Sequence, residues 1–431
     1  MRIVHLTPGT GNFHCGSCLR DMHLAKALRR QGHEVTVVPL YLPLVTDGGT
    51  EDGEQPVFAG GINLYLKQQM RWFRHVPKWV QRLLDSRWML LAAAKRASMT
   101  SARQLGEMTE ESFRGVTGRQ AEEWQRLMDW IGSGEKPDVL SLSNGLLNGL
   151  AVVAQRDLGI PVVCSLQGED SFLDTLPEPW RERSWELFRE NSASVARYVA
   201  TSEYYAAEMR KRLRLGEDRV VCVRNGIDLS GFAEQERVPD PPVIGYLARQ
   251  CHGKGLHTLV DAFLLLAKRH GTVRLSVAGT TTAADDAYIA EQVRKVREAG
   301  LESRVEWRRE LDFAEKVRHL QQLTVLSVPA GYGEAFGLYI IEALACGVPV
   351  AEPDDAGPGE LVRATGGGLL CAKDDPAALA EILGRMVDDP EFRRELAERG
   401  RAAVLREFTA DVMARGYAAV CAAAVGAGGG K

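Results

Sequence analysis

The chain opens on an apolar run from Arg2 to Thr7, broken by Pro8-Gly-Thr-Gly11. Apolar residues return at Leu19, Met22, Leu24, Ala25 and Leu28, the spacing of one helical face. Gly32 stands where such a helix ends, and Glu34 to Val38 reads as the next strand. A strand, a helix and a strand in so short a stretch form a βαβ unit, so the two strands run parallel. The rhythm recurs with strands at 138–142, 161–166, 198–200 and 220–223 and helical stretches between most of them. It breaks at Val238-Pro-Asp-Pro-Pro242 and restarts with strands at 243–247, 274–278, 305–307, 325–328 and 348–351. Helices are predicted near 256–269, 285–299, 313–322 and 338–346. The pattern is that of two doubly wound α/β domains, 1–237 and 238–407, with a hinge near 238–242. A last helix begins near 408, and its Ala/Gly-rich end at 422–430 is expected to fray. Ligands of such folds bind at the carboxyl ends of the strands, which here points to the cleft between domains.

One region departs from this rhythm, an atypical helical insertion at about 67–130. Residues 67–103 hold nine Lys or Arg against one acid, Asp85, with Trp72, Trp79 and Trp88 interleaved. Val80, Leu84, Trp88 and Leu91 share one face if Pro77 opens a helix. Such a segment suits peripheral contact with anionic lipid. It equally suits an insertion packed on the first domain, or a surface for an anionic acceptor.

Composition narrows the class. With 431 residues, 45% hydrophobic and 26% charged, the chain is neither disordered nor fibrous. A net charge of −4 gives no general attraction to nucleic acid. No apolar run approaches the ~20 residues of a membrane span, and the first residues do not read as an export signal. The eight cysteines fit thiols in a reducing compartment. A cytoplasmic location is expected, with peripheral contact on the inner membrane face through 67–103 left open. Cys15-Gly-Ser-Cys18 has dithiol spacing, so a redox role is open too. No spaced His/Cys/Asp cluster of the zinc kind is present, and no metal or other cofactor is expected.

The chemistry concentrates at Pro329 to Val350. A strand end leads through Gly331-Tyr-Gly-Glu334-Ala335-Phe336-Gly337 into a helix from about Leu338. The helix start offers backbone N–H groups at 336–338 to a phosphate. Glu334 precedes the helix and Glu342 lies inside it, two carboxylates that suit sugar hydroxyls rather than phosphate. Arg249 and Lys254 follow another strand end of the same domain. An arginine fork and a lysine point charge can meet on one diphosphate. A diphosphate cradle beside carboxylates that read hydroxyls describes a nucleotide-sugar site.

Together these motifs resemble the retaining glycosyltransferases of family 4. Glu334 and Glu342, in Gly-Glu-Ala-Phe-Gly-Leu, resemble the family's E-x7-E signature. Arg249…Lys254-Gly255, Asn225-Gly-Ile-Asp228, Gly32-His-Glu-Val35, Thr201-Ser-Glu203, Gly359-Glu360 and 408–417 match further landmarks, over nearly the whole chain except roughly 40–135. The resemblance implies a GT-B fold, with the acceptor on the first domain, the nucleoside-diphosphate sugar on the second, and the last helix crossing back to the first. It places Glu342 on ribose hydroxyls and Glu334 on the transferred sugar. It places Arg249 and Lys254 on the diphosphate, with Ala335, Phe336, Gly337 and Leu338 alongside. Transfer to an acceptor hydroxyl would retain configuration without a metal.

The sequence departs from the family at two places. The first loop, commonly Gly-Gly-x-Glu, keeps only Gly16, which is expected near the donor phosphate or the acceptor. Where the family often has His-Gly, this chain has Gln167-Gly168-Glu169-Asp170, and a glutamine cannot titrate. Gln167, Glu169, Asp170 and His14 are the acceptor-side candidates, with His5 beside them. Two other readings stay open: a sugar-nucleotide epimerase on the same fold, and a non-catalytic sugar-nucleotide binder.

Overall fold

The computed structural model describes residues 1–9, 16–41 and 102–428. The basic stretch up to residue 101 lies outside them, as do His14 and Cys15. Two units emerge. One is formed by Met1–Arg224 and Ala410–Lys431, the other by Asn225–Thr409.

The first unit is built on a parallel sheet of β1 (Arg2–Thr7), β2 (Glu34–Pro39), β3 (Val139–Leu142), β4 (Val162–Leu166), β5 (Arg197–Ala200) and β6 (Val220–Cys222), in the order β2-β1-β3-β4-β5-β6. Leu6 lies opposite Val38 on one side and Leu142 on the other. All residues of β3 and β4 are buried. Burial on both faces is why these strands read as continuous apolar runs. The predicted helix is Gly16–Arg30, and its Leu24 and Leu28 pack with Met413, Tyr417 and Cys421 of the last helix. That helix runs unbroken over Ala410–Gly428. The alanine-rich end expected to fray is helical, because alanine has the strongest helix propensity and Cys421 and Ala424 bury one side of it. The described part of the insertion forms helices Ala102–Phe113 and Ala121–Ser133. Trp124, Leu127, Met128 and Ile131 of the latter are buried.

The second unit has β7 (Val243–Leu247), β8 (Arg274–Ala278), β9 (Val305–Arg308), β10 (Val325–Leu326), β11 (Val350–Pro353) and β12 (Gly368–Cys371), in the order β12-β11-β10-β7-β8-β9, again all parallel. Residues 225–237, which the proline-rich break assigns to the first domain, pack here. Ile227 and Phe232 lie in this unit's core, and the Ile227 N–H donates to the Phe408 carbonyl at 2.9 Å. The prolines at 239–242 lead into β7, and the division between units falls at Asn225.

Ala356 opens the helix Ala356–Thr365 at φ +50°, a left-handed conformation that costs a side chain roughly 1–2 kcal/mol. Ala356→Gly is expected to raise stability by about 0.5–1 kcal/mol after the glycine's larger unfolded-state entropy is subtracted. A shift of the urea midpoint to higher denaturant checks it.

Candidate functional site

In the second sheet the chain leaves β7 towards β8 and leaves β10 towards β11, on the opposite side. The carboxyl ends of β7 and β10 are therefore the topological switch point where open α/β sheets hold their ligands. The loop after β7 runs to Gly255, and the loop after β10 runs to the helix Leu338–Ala345. The two loops touch: the Gly331 N–H donates to the Gly253 carbonyl at 3.0 Å. Gly255 lies at φ +70°, and a Cβ there would stand 1.7 Å from the Pro329 carbonyl oxygen. Only glycine allows that approach.

The contact brings Lys254 onto Glu334. The ammonium is hydrogen-bonded to Glu334 Oε2 and stands 5.1 Å over the Tyr332 ring. The Tyr332 hydroxyl donates to the same oxygen at 2.9 Å. Burial works against charge on Glu334, but Lys254, Tyr332 and the Phe336 N–H outweigh it, so its carboxyl is held below the ordinary range. Burial likewise opposes charge on Lys254, and the Glu334 carboxylate more than restores it, so its pKa is raised. Both groups are thus ionised at neutral pH. The loop is fixed from behind, where the Gly357 N–H donates to the Glu334 carbonyl at 2.9 Å. Ala335 and Phe336 are buried, and Gly337, at φ +97°, turns the chain into the helix at Leu338.

The other two donor-side residues meet partners that lie outside the motifs. Arg249 forks onto Asp285, Nε at 3.1 Å and Nη2 at 3.0 Å from Oδ2. Asp285 is itself held by the Thr282 N–H at 2.9 Å and hydroxyl at 2.7 Å. Its pKa is lowered: burial opposes the charge, and the Thr282 and Arg249 bonds prevail. Arg249 and Lys254, set on one diphosphate by the sequence, therefore each meet a carboxylate of their own. Glu342 is buried, its Oε1 accepting from Lys316 Nζ at 2.7 Å. Lys316 lies 5.5 Å from the Phe232 ring centre and 5.3 Å from that of Phe313. Tyr332 was legible as a neighbour of Glu334, whereas Asp285 and Lys316 carry no motif and only the fold brings them in.

In the first unit Gln167, Glu169 and Asp170 fall at the carboxyl end of β4, and the fourth acceptor-side candidate, His14, lies outside the described residues. Glu169 is saturated. It accepts from the Gly145 N–H at 2.8 Å, the Gln167 N–H at 2.9 Å, the Gly168 N–H at 3.2 Å and the Tyr205 hydroxyl at 2.9 Å. Burial raises its pKa, and these bonds offset the rise only in part. These bonds tie it to the turn after β4. Gln167 donates through Nε2 to the Ser143 carbonyl at 2.6 Å. Asp170 differs: its Oδ1 is buried with no hydrogen-bond partner among the described residues. Gly16 is the first residue of its helix. Beneath the ends of β1 and β3, His5 bonds the Ser141 hydroxyl at 2.7 Å and lies 3.6 Å from Asp21. Asp21 also accepts from Arg20 at 3.0 Å. Burial opposes its charge, but His5, Arg20 and Ser143 hold its pKa low.

Two family models match the chain in succession: "Glycosyl transferase 4-like domain" over residues 20–226 and "Glycosyl transferases group 1" over 231–403. A glycogen synthase of Mycobacterium tuberculosis is 25% identical over 93% of this chain and 89% of its own length. An alpha-maltose-1-phosphate synthase of Mycolicibacterium smegmatis is 31% identical over 45% of this chain and 54% of its own. Among solved structures, sucrose-phosphate synthase from Thermosynechococcus elongatus superposes with a TM-score of 0.71 at 18% identity, over 99% of both chains. Anabaena Alr3699/HepE, solved with UDP and glucose, gives 0.68 at 16% identity, over 98% of this chain and 100% of its own. Among the described residues no helix is long and apolar enough to cross a membrane.

Proposed function

Because the chain belongs to the group 1, family-4-like glycosyltransferases and is a hexosyltransferase of GT-B fold, we propose that it transfers a sugar from a nucleoside-diphosphate sugar to an acceptor hydroxyl with retention of configuration. The observation that carries this reading is the Lys254–Glu334 pair at the β7/β10 switch point. An ammonium has three donors. Lys254 keeps Glu334 while turning a second N–H to the diphosphate, and Glu334, held ionised, accepts from a hydroxyl of the transferred sugar. The helix start at Leu338 and Arg249 receive the remaining diphosphate charge. Glu342, fixed by Lys316, reads the ribose. Catalysis then consists of positioning and of stabilising the departing diphosphate, whose oxygen takes the acceptor's proton. Asp170 and Gln167 are the acceptor-side contacts of this reading.

No step calls for a metal, so turnover is expected to survive excess chelator unchanged. Loss of activity restored by a divalent cation would refute this. The reading as a whole is tested by nucleoside-diphosphate release from UDP-, GDP- and ADP-sugars with bacterial lipid and sugar extracts as acceptors. Release with one donor, with the product's anomeric configuration retained, is the expected result. Epimerised donor without release, or binding without turnover under any acceptor, would overturn it.

A further inference from the structure

Beneath the loop that carries Glu334 lies a carboxyl group that the proposed chemistry leaves idle. Glu352 sits in β11 with 0% exposure. Its Oε1 accepts the Val328 N–H at 2.9 Å, and its Oε2 lies 3.4 Å from the Tyr339 hydroxyl. That hydroxyl is also 3.3 Å from the Val328 carbonyl oxygen. Val328 precedes the 329–337 loop, and Tyr339 is the second residue of the helix that follows it. One side chain, from a strand to which neither belongs, thus ties the two ends of the loop together.

We propose that Glu352 is a positioning residue for sugar transfer, clamping both ends of the 329–337 loop and so setting where Glu334 and the Phe336 N–H stand. The proposal rests on the reading that this loop holds the donor sugar. Hydrogen-bond counting defines the form in which Glu352 works. Tyr339 has one hydroxyl proton and cannot serve both the Val328 carbonyl and a carboxylate. A neutral Glu352 closes the ring: its O–H donates to the tyrosine oxygen, and the tyrosine donates to Val328. An ionised Glu352 would take the tyrosine proton's bond and release the Val328 carbonyl. Burial pushes the Glu352 carboxyl well above its usual range. The Val328 N–H and Tyr339 hydroxyl pull it back, Glu334 adds to the rise, and Lys254 opposes it. Tyr246 of β7 and Cys371 of β12 also feel its charge, and Tyr332 of the loop acts on Tyr339. A bound diphosphate brings further negative charge and favours the same neutral form.

The test compares wild type with Glu352→Gln, which keeps an acceptor and a donor in the same shape, and Glu352→Leu, which keeps volume alone. Amide hydrogen exchange across 329–338, corrected for intrinsic rates, is expected to rise about tenfold or more in Glu352→Leu while β7 to β9 exchange as before. Glu352→Gln should match wild type, because its amide keeps both the acceptor for the Val328 N–H and the donor to the Tyr339 oxygen. With whichever of UDP-glucose, GDP-mannose and ADP-glucose is turned over, kcat/KM should fall about tenfold or more in Glu352→Leu, most of it restored by Gln. Wild-type exchange in Glu352→Leu, or exchange in Glu352→Gln as fast as in Glu352→Leu, would overturn the clamp. If wild type turns over none of the donors, the functional reading fails, and the exchange data decide the clamp by themselves.

Discussion

Glu334→Ala is expected to lower kcat by roughly 10²–10³-fold, the usual cost of removing one electrostatic contact to a transition state, while nucleoside-diphosphate affinity holds or tightens slightly. The two halves of this result have separate causes. Glu334 faces the sugar in the proposed complex, so the diphosphate loses no contact when it goes. Its removal also releases Lys254 from a carboxylate that the ammonium otherwise shares with the ligand. Folding should lose about 1–3 kcal/mol as well, since the lysine left behind is only 22% exposed and burial opposes its charge. Calorimetric titration of UDP, GDP or ADP, beside initial rates at saturating donor, separates the two effects. A mutant that transfers sugar at the normal rate would remove Glu334 from the chemistry. One that no longer binds nucleotide would show that it serves the diphosphate instead.

The counterpart is Lys254→Ala, and its signature is the reverse. Donor and free nucleoside diphosphate should both weaken by about 10- to 100-fold, the worth of one or two bonds to a charged group. The protein should also lose stability, by about 1–3 kcal/mol, because a largely buried carboxylate is left without its cation. That loss carries a pH signature whose sign follows from the Glu334 carboxyl being held below its ordinary value in the folded wild type. The wild-type pair stabilises fully above the unfolded carboxyl value and loses that stabilisation as pH falls through the folded one. In Lys254→Ala, burial still opposes the charge and only the Tyr332 hydroxyl and the Phe336 N–H remain to favour it, so the carboxyl rises and stability falls less than in wild type as the pH drops. Urea unfolding of both proteins at pH 7 and pH 4 checks this, with the gap between them expected to narrow at the lower pH. An affinity for nucleoside diphosphate equal to wild type would refute the cradle outright.

Much of this architecture was legible beforehand because the buried parallel strands are short apolar runs between glycines, and the glycine-rich loops stand at strand ends. β12 was not, since Gly366-Gly-Gly368 masks the start of a run only four residues long. The boundary near residue 225 was hidden because prolines advertise a break, whereas Ile227 and Phe232 declare their unit only through the core they join. At the site, Glu334, Lys254, Arg249 and Glu342 lay in readable patterns, but what each touches did not. Asp285, Lys316 and Glu352 arrive from other elements, and a lone charge on a helix or strand looks in sequence like any surface charge. Glu169 is the converse: its position in the motif was legible, but the backbone N–H groups of Gly145 and Gln167 that donate to it come into view only with the fold.

The last helix has a consequence for how the chain is made. The second unit is one continuous stretch, whereas the first takes its final helix from the other end of the sequence. The Tyr417 hydroxyl bonds Ser141 of β3 at 2.7 Å, and Met413 and Cys421 fill the core beside Leu24 and Leu28. A nascent chain that has released residues 1–224 from the ribosome still lacks part of the core of its first unit. The second unit can complete itself while the first waits with an apolar groove open. Synthesis therefore finishes the two halves in the reverse of their order along the gene, and a premature stop before residue 410 spares the half that was made later.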